Sequence, residues 1–155
     1  MYKWFGISAL IIVLDQITKY VASHMLIMHE PVAILPFFNF TLMHNTGAAF
    51  SFLADQGGWQ RWFFAVLALG VSIVLAVWLT RLKAHETWLA LALSLVLGGA
   101  AGNLIDRVYY GYVIDFIDVY YGASHWPAFN IADSAITVGA VMLVIDTFRS
   151  KEKSW

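Results

Sequence analysis

Trp62-Phe63-Phe64-Ala65-Val66-Leu67-Ala68-Leu69-Gly70-Val71-Ser72-Ile73-Val74-Leu75-Ala76-Val77-Trp78-Leu79 contains no charged residue. Coiled as a helix, a run of this length matches the hydrocarbon of a bilayer, which needs roughly 18 to 20 mostly apolar residues. Working outward from it, three more segments have the same character: 4–24, 88–105 and 131–148. Hydrophobic residues make up 61% of the 155 and charged residues 12%, a balance that suits lipid and not water as the main solvent. Trp4, Trp59, Trp62, Trp78, Trp88 and Trp126 fall mostly at the ends of these runs, where an amphipathic ring sits well at headgroup level. The fold class expected is an all-α integral membrane protein with four transmembrane helices and a small extracytoplasmic β-rich segment.

The apolar N-terminal run is long, carries Asp15 and Lys19 in its outer half and lacks a clear small-x-small cleavage site, so it reads as a retained helix. There is no cysteine, which removes disulfides, thiolate catalysis and Cys-based metal sites together. A net charge of -1 leaves no basic stripe to neutralise phosphates, so no nucleic-acid partner is expected. With no tandem repeat or low-complexity tail, a single membrane-embedded domain over 1–155 is the natural organisation. Lys3, Arg81, Lys83, Arg149, Lys151 and Lys153 fall in the termini and the connection 81–87, against Lys19, Arg61 and Arg107 on the other side. This asymmetry places both termini in the cytoplasm and the two long connections, 25–61 and 106–130, outside.

That orientation gathers Asp15, Asp106, Asp115, Asp118 and Asp133 toward the outer face, together with Asn45, Asn103, Arg107 and Asn130. Ionisable groups near hydrocarbon cost several kcal/mol unless paired or hydrated, so their common depth implies a shared polar pocket. The first outer connection is rich in Val, Ile, Phe and Thr over 32–42 and continues into Asn45-Thr46-Gly47-Ala48-Ala49-Phe50, which predicts a short strand pair on the outer surface, or else an irregular interfacial loop. The segment 32–53 is expected to cover the pocket and to move when substrate enters. Gly98 and Gly102 form a G-x-x-x-G, read as close approach of a neighbouring helix. Asn103 and Arg107 share a helix face and can point at one carbonyl or carboxylate; the alternative is an Asp106 or Asp15 pairing with Arg107. Asn130 is a plausible N-cap with Asp133 in the following first turn, so capping alone could explain that pair.

Other hydrolase chemistries fit poorly. His29-Glu30 and His85-Glu86 are not followed by the second His of H-E-x-x-H, and no G-x-S-x-G occurs. The five histidines are scattered. A Ser/Lys pair of Lys19 with Ser23 remains open, although Lys19 is more simply expected to snorkel to the headgroups. Two further classes stay in view: a small transporter, which needs polar groups through the full membrane thickness, and a noncatalytic lipid-binding scaffold.

Taken together, Asp15-Gln16-Ile17-Thr18-Lys19, Asn45 to Phe50, Gly98 to Arg107, Val113-Ile114-Asp115-Phe116 and Phe129-Asn130-Ile131-Ala132-Asp133 resemble lipoprotein signal peptidase, the signal peptidase II family of bacterial membrane aspartyl peptidases. The blocks occur in the family's order and span nearly the whole chain. The resemblance implies catalytic aspartates at Asp115 and Asp133, and substrate-contacting or supporting positions at Asp15, Asn45, Gly47, Asn103, Arg107 and Asn130. It implies cleavage of a lipid-modified prolipoprotein before its diacylglyceryl-cysteine at the outer interface of the bacterial inner membrane. No cofactor or metal is required, membrane lipids surround the chain, and a monomer is expected.

Overall fold

The chain is described here by a computed structural model over residues 2–47 and 58–152. Four helices, α1 (Lys3–Met25), α2 (Trp59–Arg81), α3 (Thr87–Tyr109) and α4 (Ile131–Glu152), are joined by connections of which the first carries β1 (Val32–Leu35) and β2 (Phe38–Asn45) and the third β3 (Val113–Tyr121) and β4 (Ser124–His125). Each helix is long and apolar enough to cross a membrane. The helices outrun the expected spans by as many as four residues, because a helix is held by its own backbone bonds and continues where apolar side chains stop. Asp106 and Arg107, expected at the start of a connection, therefore lie inside α3.

Helix α3 is the hub: it packs against α1, α2 and α4 along its length, while α2 and α4 scarcely meet. Small residues make this possible. A Cβ at Gly98 would lie 2.9 Å from the Ser8 carbonyl oxygen of α1, and one at Gly99 would lie 2.3 Å from the Ala132 carbonyl oxygen of α4. One at Gly102 would lie 2.7 Å from the Asp15 carboxylate. The G-x-x-x-G thus serves α1 twice, once against its backbone and once against its buried acid, while Gly99 admits α4. At the end away from the strands, Leu75, Leu79, Leu82, Ala90, Leu93 and Leu97 form the apolar core between α2 and α3. Leu10, Ile17, Val66, Ile73 and Val141 point outward and are exposed, as suits side chains whose solvent is lipid.

The strands form one antiparallel sheet in the order β1-β2-β3-β4. The expected strand pair is present as β1 and β2, but the sheet is larger than the sequence suggested, since β2 also pairs with β3 from the connection between α3 and α4. A lone hairpin is marginal, and β3 supplies the third strand with its own Val, Ile, Phe and Tyr. Of the cover segment, 32–47 lies in the described chain and 48–53 outside it; the alanines and phenylalanine of the Asn45 to Phe50 block belong to the latter.

Candidate active site

Asp115 sits in the buried first half of β3, where Val113 to Phe116 are covered on both faces. The register sets Met43 opposite Asp115 and Asn45 opposite Val113, so Asn45 and Asp115 are diagonal neighbours on one face. The Asn45 amide donates to Asp115 Oδ2 at 3.2 Å. After β4 the chain returns alongside β3: Ile117 N donates to the Phe129 carbonyl at 2.8 Å and Phe129 N donates back at 3.1 Å. That return delivers Asn130 to Asp115, and its Nδ2 reaches the Ile114 carbonyl at 3.2 Å and Asp115 Oδ1 at 2.8 Å.

Asn130 also starts α4. Its Oδ1 accepts from Asp133 N at 2.8 Å while Asp133 Oδ2 accepts from Asn130 N at 3.3 Å, a reciprocal capping arrangement. The capping reading of Asn130 and Asp133 is therefore right, and it is compatible with a chemical role, because Asp133 Oδ1 faces away from the cap and accepts from Asn103 Nδ2 at 2.7 Å. One asparagine thus contacts both aspartates, and a second fixes Asp133 from α3. Burial pushes the Asp115 carboxyl up to about 7, the Asp133 charge adds to the rise, and the amides of Asn45 and Asn130 together with the Lys19 charge oppose it.

The outer acids do not form one pool. Asp15 and Asp106 flank Lys19, whose Nζ lies 2.7 Å from Asp15 Oδ2 and 2.9 Å from Asp106 Oδ2. Lys19 is 1% exposed, so it does not snorkel, and Ser23 is exposed, so the Ser/Lys pair is absent. Two carboxylates in a low-dielectric interior attract the ammonium more strongly than the headgroups can. For the same reason Arg107 pairs with neither Asp15 nor Asp106. Its Nη2 donates to the Gly47 carbonyl at 3.0 Å, its Nη1 to the Asn103 carbonyl at 3.3 Å, and its guanidinium lies 5.6 Å over the Phe64 ring. Gln16, which sequence reasoning passed over, donates to Asp106 Oδ1 at 2.9 Å. The signal available was the i, i+4 spacing of Asp15 and Lys19 on one face. Asp118 stands apart, accepting from Thr41 at 2.8 Å and Asn39 at 3.3 Å and pairing with His125 at 2.7 Å. Burial works against its charge, but these hydrogen bonds outweigh it and hold the carboxyl below its ordinary range.

A cavity of about 630 Å³ opens between α2 and α4 above α3. Asn45, Asn103, Arg107 and Asp133 line its polar end, and Asp115 stands one hydrogen bond behind it on Asn45. Leu67 and Val71 of α2 and Ile136 and Val138 of α4 line its apolar flanks. Toward the opposite membrane face, the buried polar groups Ser8 and Ser94 are both satisfied by backbone carbonyls, so among the described residues no polar path crosses the bundle. Nor, among them, is any group of three or more His, Asp or Glu residues arranged to hold a metal ion.

Comparison with known proteins gives the family. The family described as signal peptidase (SPase) II matches residues 7–149. The chain is 61% identical over 145 residues to the lipoprotein signal peptidase of Teredinibacter turnerae, covering 94% of this chain and 86% of that one. It is 58% identical over 151 residues to that of Pseudomonas putida, covering 96% and 88%. A bacterial membrane enzyme solved by the in meso method at 2.3 Å resolution superposes with a TM-score of 0.89 at 30% identity, covering 100% of this chain and 93% of the other. By its sequence over nearly its whole length, the chain belongs to the signal peptidase II family of membrane aspartic peptidases.

Proposed function

We propose that Asp115 and Asp133 are the catalytic dyad with which this signal peptidase II removes the signal peptide from prolipoproteins. The observation that carries the proposal is Asn130, whose side-chain amide and carbonyl contact both aspartate residues at once and hold them at the polar end of the cavity. Burial and the Asp133 charge both raise Asp115, so the pair keeps one proton near neutrality. The proposed reaction places it on Asp115, raised to about 7, with the titration belonging to the pair.

In the proposed reaction, ionised Asp133 takes a proton from water, and the oxygen attacks the scissile carbonyl carbon. Protonated Asp115 donates its hydrogen bond to the carbonyl oxygen as negative charge grows there. As the tetrahedral adduct collapses, the C–N bond breaks, and the proton taken up by Asp133 passes to the departing amine. The bond broken is the one before the diacylglyceryl-modified cysteine. Asn103 orients Asp133, while Arg107 holds the Gly47 backbone at the cavity rim and faces the substrate's polar groups. The apolar flanks of α2 and α4 receive the signal-peptide helix and leave the acyl chains in contact with lipid. Because Asn45, Asn103 and Asn130 all come from one chain, the site is complete in a monomer, and the chain works as one peptidase domain.

The active site faces outward and both termini face the cytoplasm. Supporting this, Lys19 is buried and Arg61 is bonded to the Arg107 and Val108 carbonyls at 2.8 and 2.7 Å, whereas Lys3, Arg81 and Lys83 at the other end are exposed. A gel-shift assay of a lipidated precursor tests the dyad. Asp115→Asn and Asp133→Asn should each be nearly inactive and the double variant scarcely worse, since residues acting as a unit are not additive. Substantial cleavage by either single variant would overturn the dyad assignment.

A further inference from the structure

Lys19 has no place in the reaction written above, yet it is among the most deeply buried side chains in the protein, at 1% exposure. Its two carboxylate partners make further bonds that share a pattern. Asp15 Oδ1 accepts from Ala132 N at 2.9 Å, the residue directly before Asp133. Asp106 Oδ2 accepts from Ile114 N at 3.1 Å, the residue directly before Asp115. Lys19 bridges Asp15 and Asp106 at 2.7 and 2.9 Å. The same ammonium donates to Asn103 Oδ1 at 3.0 Å, which turns the Asn103 Nδ2 toward Asp133 Oδ1. With Oδ1 facing a cation, the amide cannot flip without setting its NH2 against the ammonium.

We infer that Lys19 is a positioning residue for the reaction: through Asp15 and Ala132, through Asp106 and Ile114, and through Asn103, it sets the separation and orientation of the two dyad carboxyls. The inference rests on the dyad assignment. Three linkages, one through α1 and two through α3, meet at one atom, the Lys19 Nζ, and each ends on or next to a reacting carboxyl. The charged groups that share this end of the bundle include Asp15 and Lys19 of α1, Arg61 of α2, Asp106 and Arg107 of α3, Asp115 and Asp118 of β3 and Asp133 of α4. Lys19 is the buried cation among them that touches no cavity surface, and its charge opposes the rise at Asp115.

The test uses full-length protein in detergent with a lipidated precursor, comparing Lys19→Met with Lys19→Met/Asp106→Asn. The single variant leaves two buried carboxylates without their cation. The double variant returns the cluster to one net negative charge, as in the native protein, and its new amide oxygen can still accept from Ile114 N. A merely structural counter-ion predicts that the double variant regains both thermal stability and turnover. A positioning residue predicts that stability returns while kcat stays down by about 100-fold, the size of effect expected when reacting groups move by about 1 Å, with KM near the native value. It also predicts that the alkaline limb of the kcat profile stays displaced upward by about one pH unit or more, because a nearby cation no longer favours the Asp115 anion. Native kcat with an unmoved limb in the double variant, a loss confined to KM, or failure of both variants to fold would each overturn the inference. Failure of the dyad reading is distinguished by the Asp→Asn variants in the native Lys19 background, where retained cleavage removes the dyad whatever Lys19 does.

Discussion

Gly99→Ala is a one-carbon perturbation whose consequence can be worked from the backbone. A Cβ at this position would sit 2.3 Å from the Ala132 carbonyl oxygen and 2.7 Å from Ile136 Cγ1, where ordinary contact begins at 3.4 Å. The carbonyl has no easy escape. The oxygen belongs to the main chain of a residue that is 0% exposed, and the N–H of that residue is tied to Asp15 Oδ1. The first turn of α4 must therefore retreat from α3 by about 1 Å, carrying Asp133 away from Asn103 and from Asp115. Overpacking of this kind costs about 1–3 kcal/mol of stability. A displacement of about 1 Å between reacting groups costs about 100-fold in rate, so the loss of turnover should exceed what the loss of folded protein explains. Gly70→Ala in α2 is the control, since its Cβ would meet nothing within 4 Å; it should melt and cleave like the native protein. The assay pairs thermal unfolding in detergent with single-turnover cleavage of a lipidated precursor. Native turnover in Gly99→Ala with an unchanged melting midpoint would refute the argument that α3–α4 contact sets the dyad.

Asn103→Ala and Arg107→Ala should each cut cleavage sharply while leaving a folded protein; near-native turnover in both, with normal melting, would assign them to structure alone. The pH profile of kcat should fall as pH rises through about 7, where Asp115 loses the proton it donates, and fall again in acid once both carboxyls are protonated. An alkaline limb that stays in place when Asn130→Ala removes a donor to the Asp115 anion would argue against Asp115 as its source, because loss of that donor should raise the limb. His125→Ala should loosen the cavity wall at Trp126 to Phe129, since the Asp118 pairing is lost while Trp126 N still holds the Val119 carbonyl at 2.7 Å. The expected result is a several-fold rise in KM at nearly native kcat, and a fall in kcat alone would place His125 elsewhere in the cycle.

Some of this protein is written in consecutive residues. The four membrane helices follow from apolar runs whose length must match a bilayer, a one-dimensional property that needs no knowledge of neighbours. The capping of α4 by Asn130 is equally local, since donor and acceptor are three residues apart. The roles proposed for Asp115 and Asp133 rest on motif order, and the depth expected for them on the charge asymmetry used to orient the helices. What sequence could not supply was partner choice among groups at the same depth. Five acids expected near the outer face could pool with any of the nearby cations, and both the alternative Arg107 pairing and the snorkelling Lys19 were reasonable on spacing alone. Only the packing of α1 on α3 decided otherwise. Gly98 and Gly102 bring the two backbones close enough that Lys19 is enclosed between Asp15 and Asp106, while Arg107, one helical turn beyond Asn103, reaches the Gly47 carbonyl instead. The β2–β3 pairing was hidden for a related reason. Its strands are separated by two membrane helices, and a ladder between them depends on where those helices end. Ionic and hydrogen-bonded partnerships are short-range, so they are settled by tertiary distances that an ångström of helix approach can change.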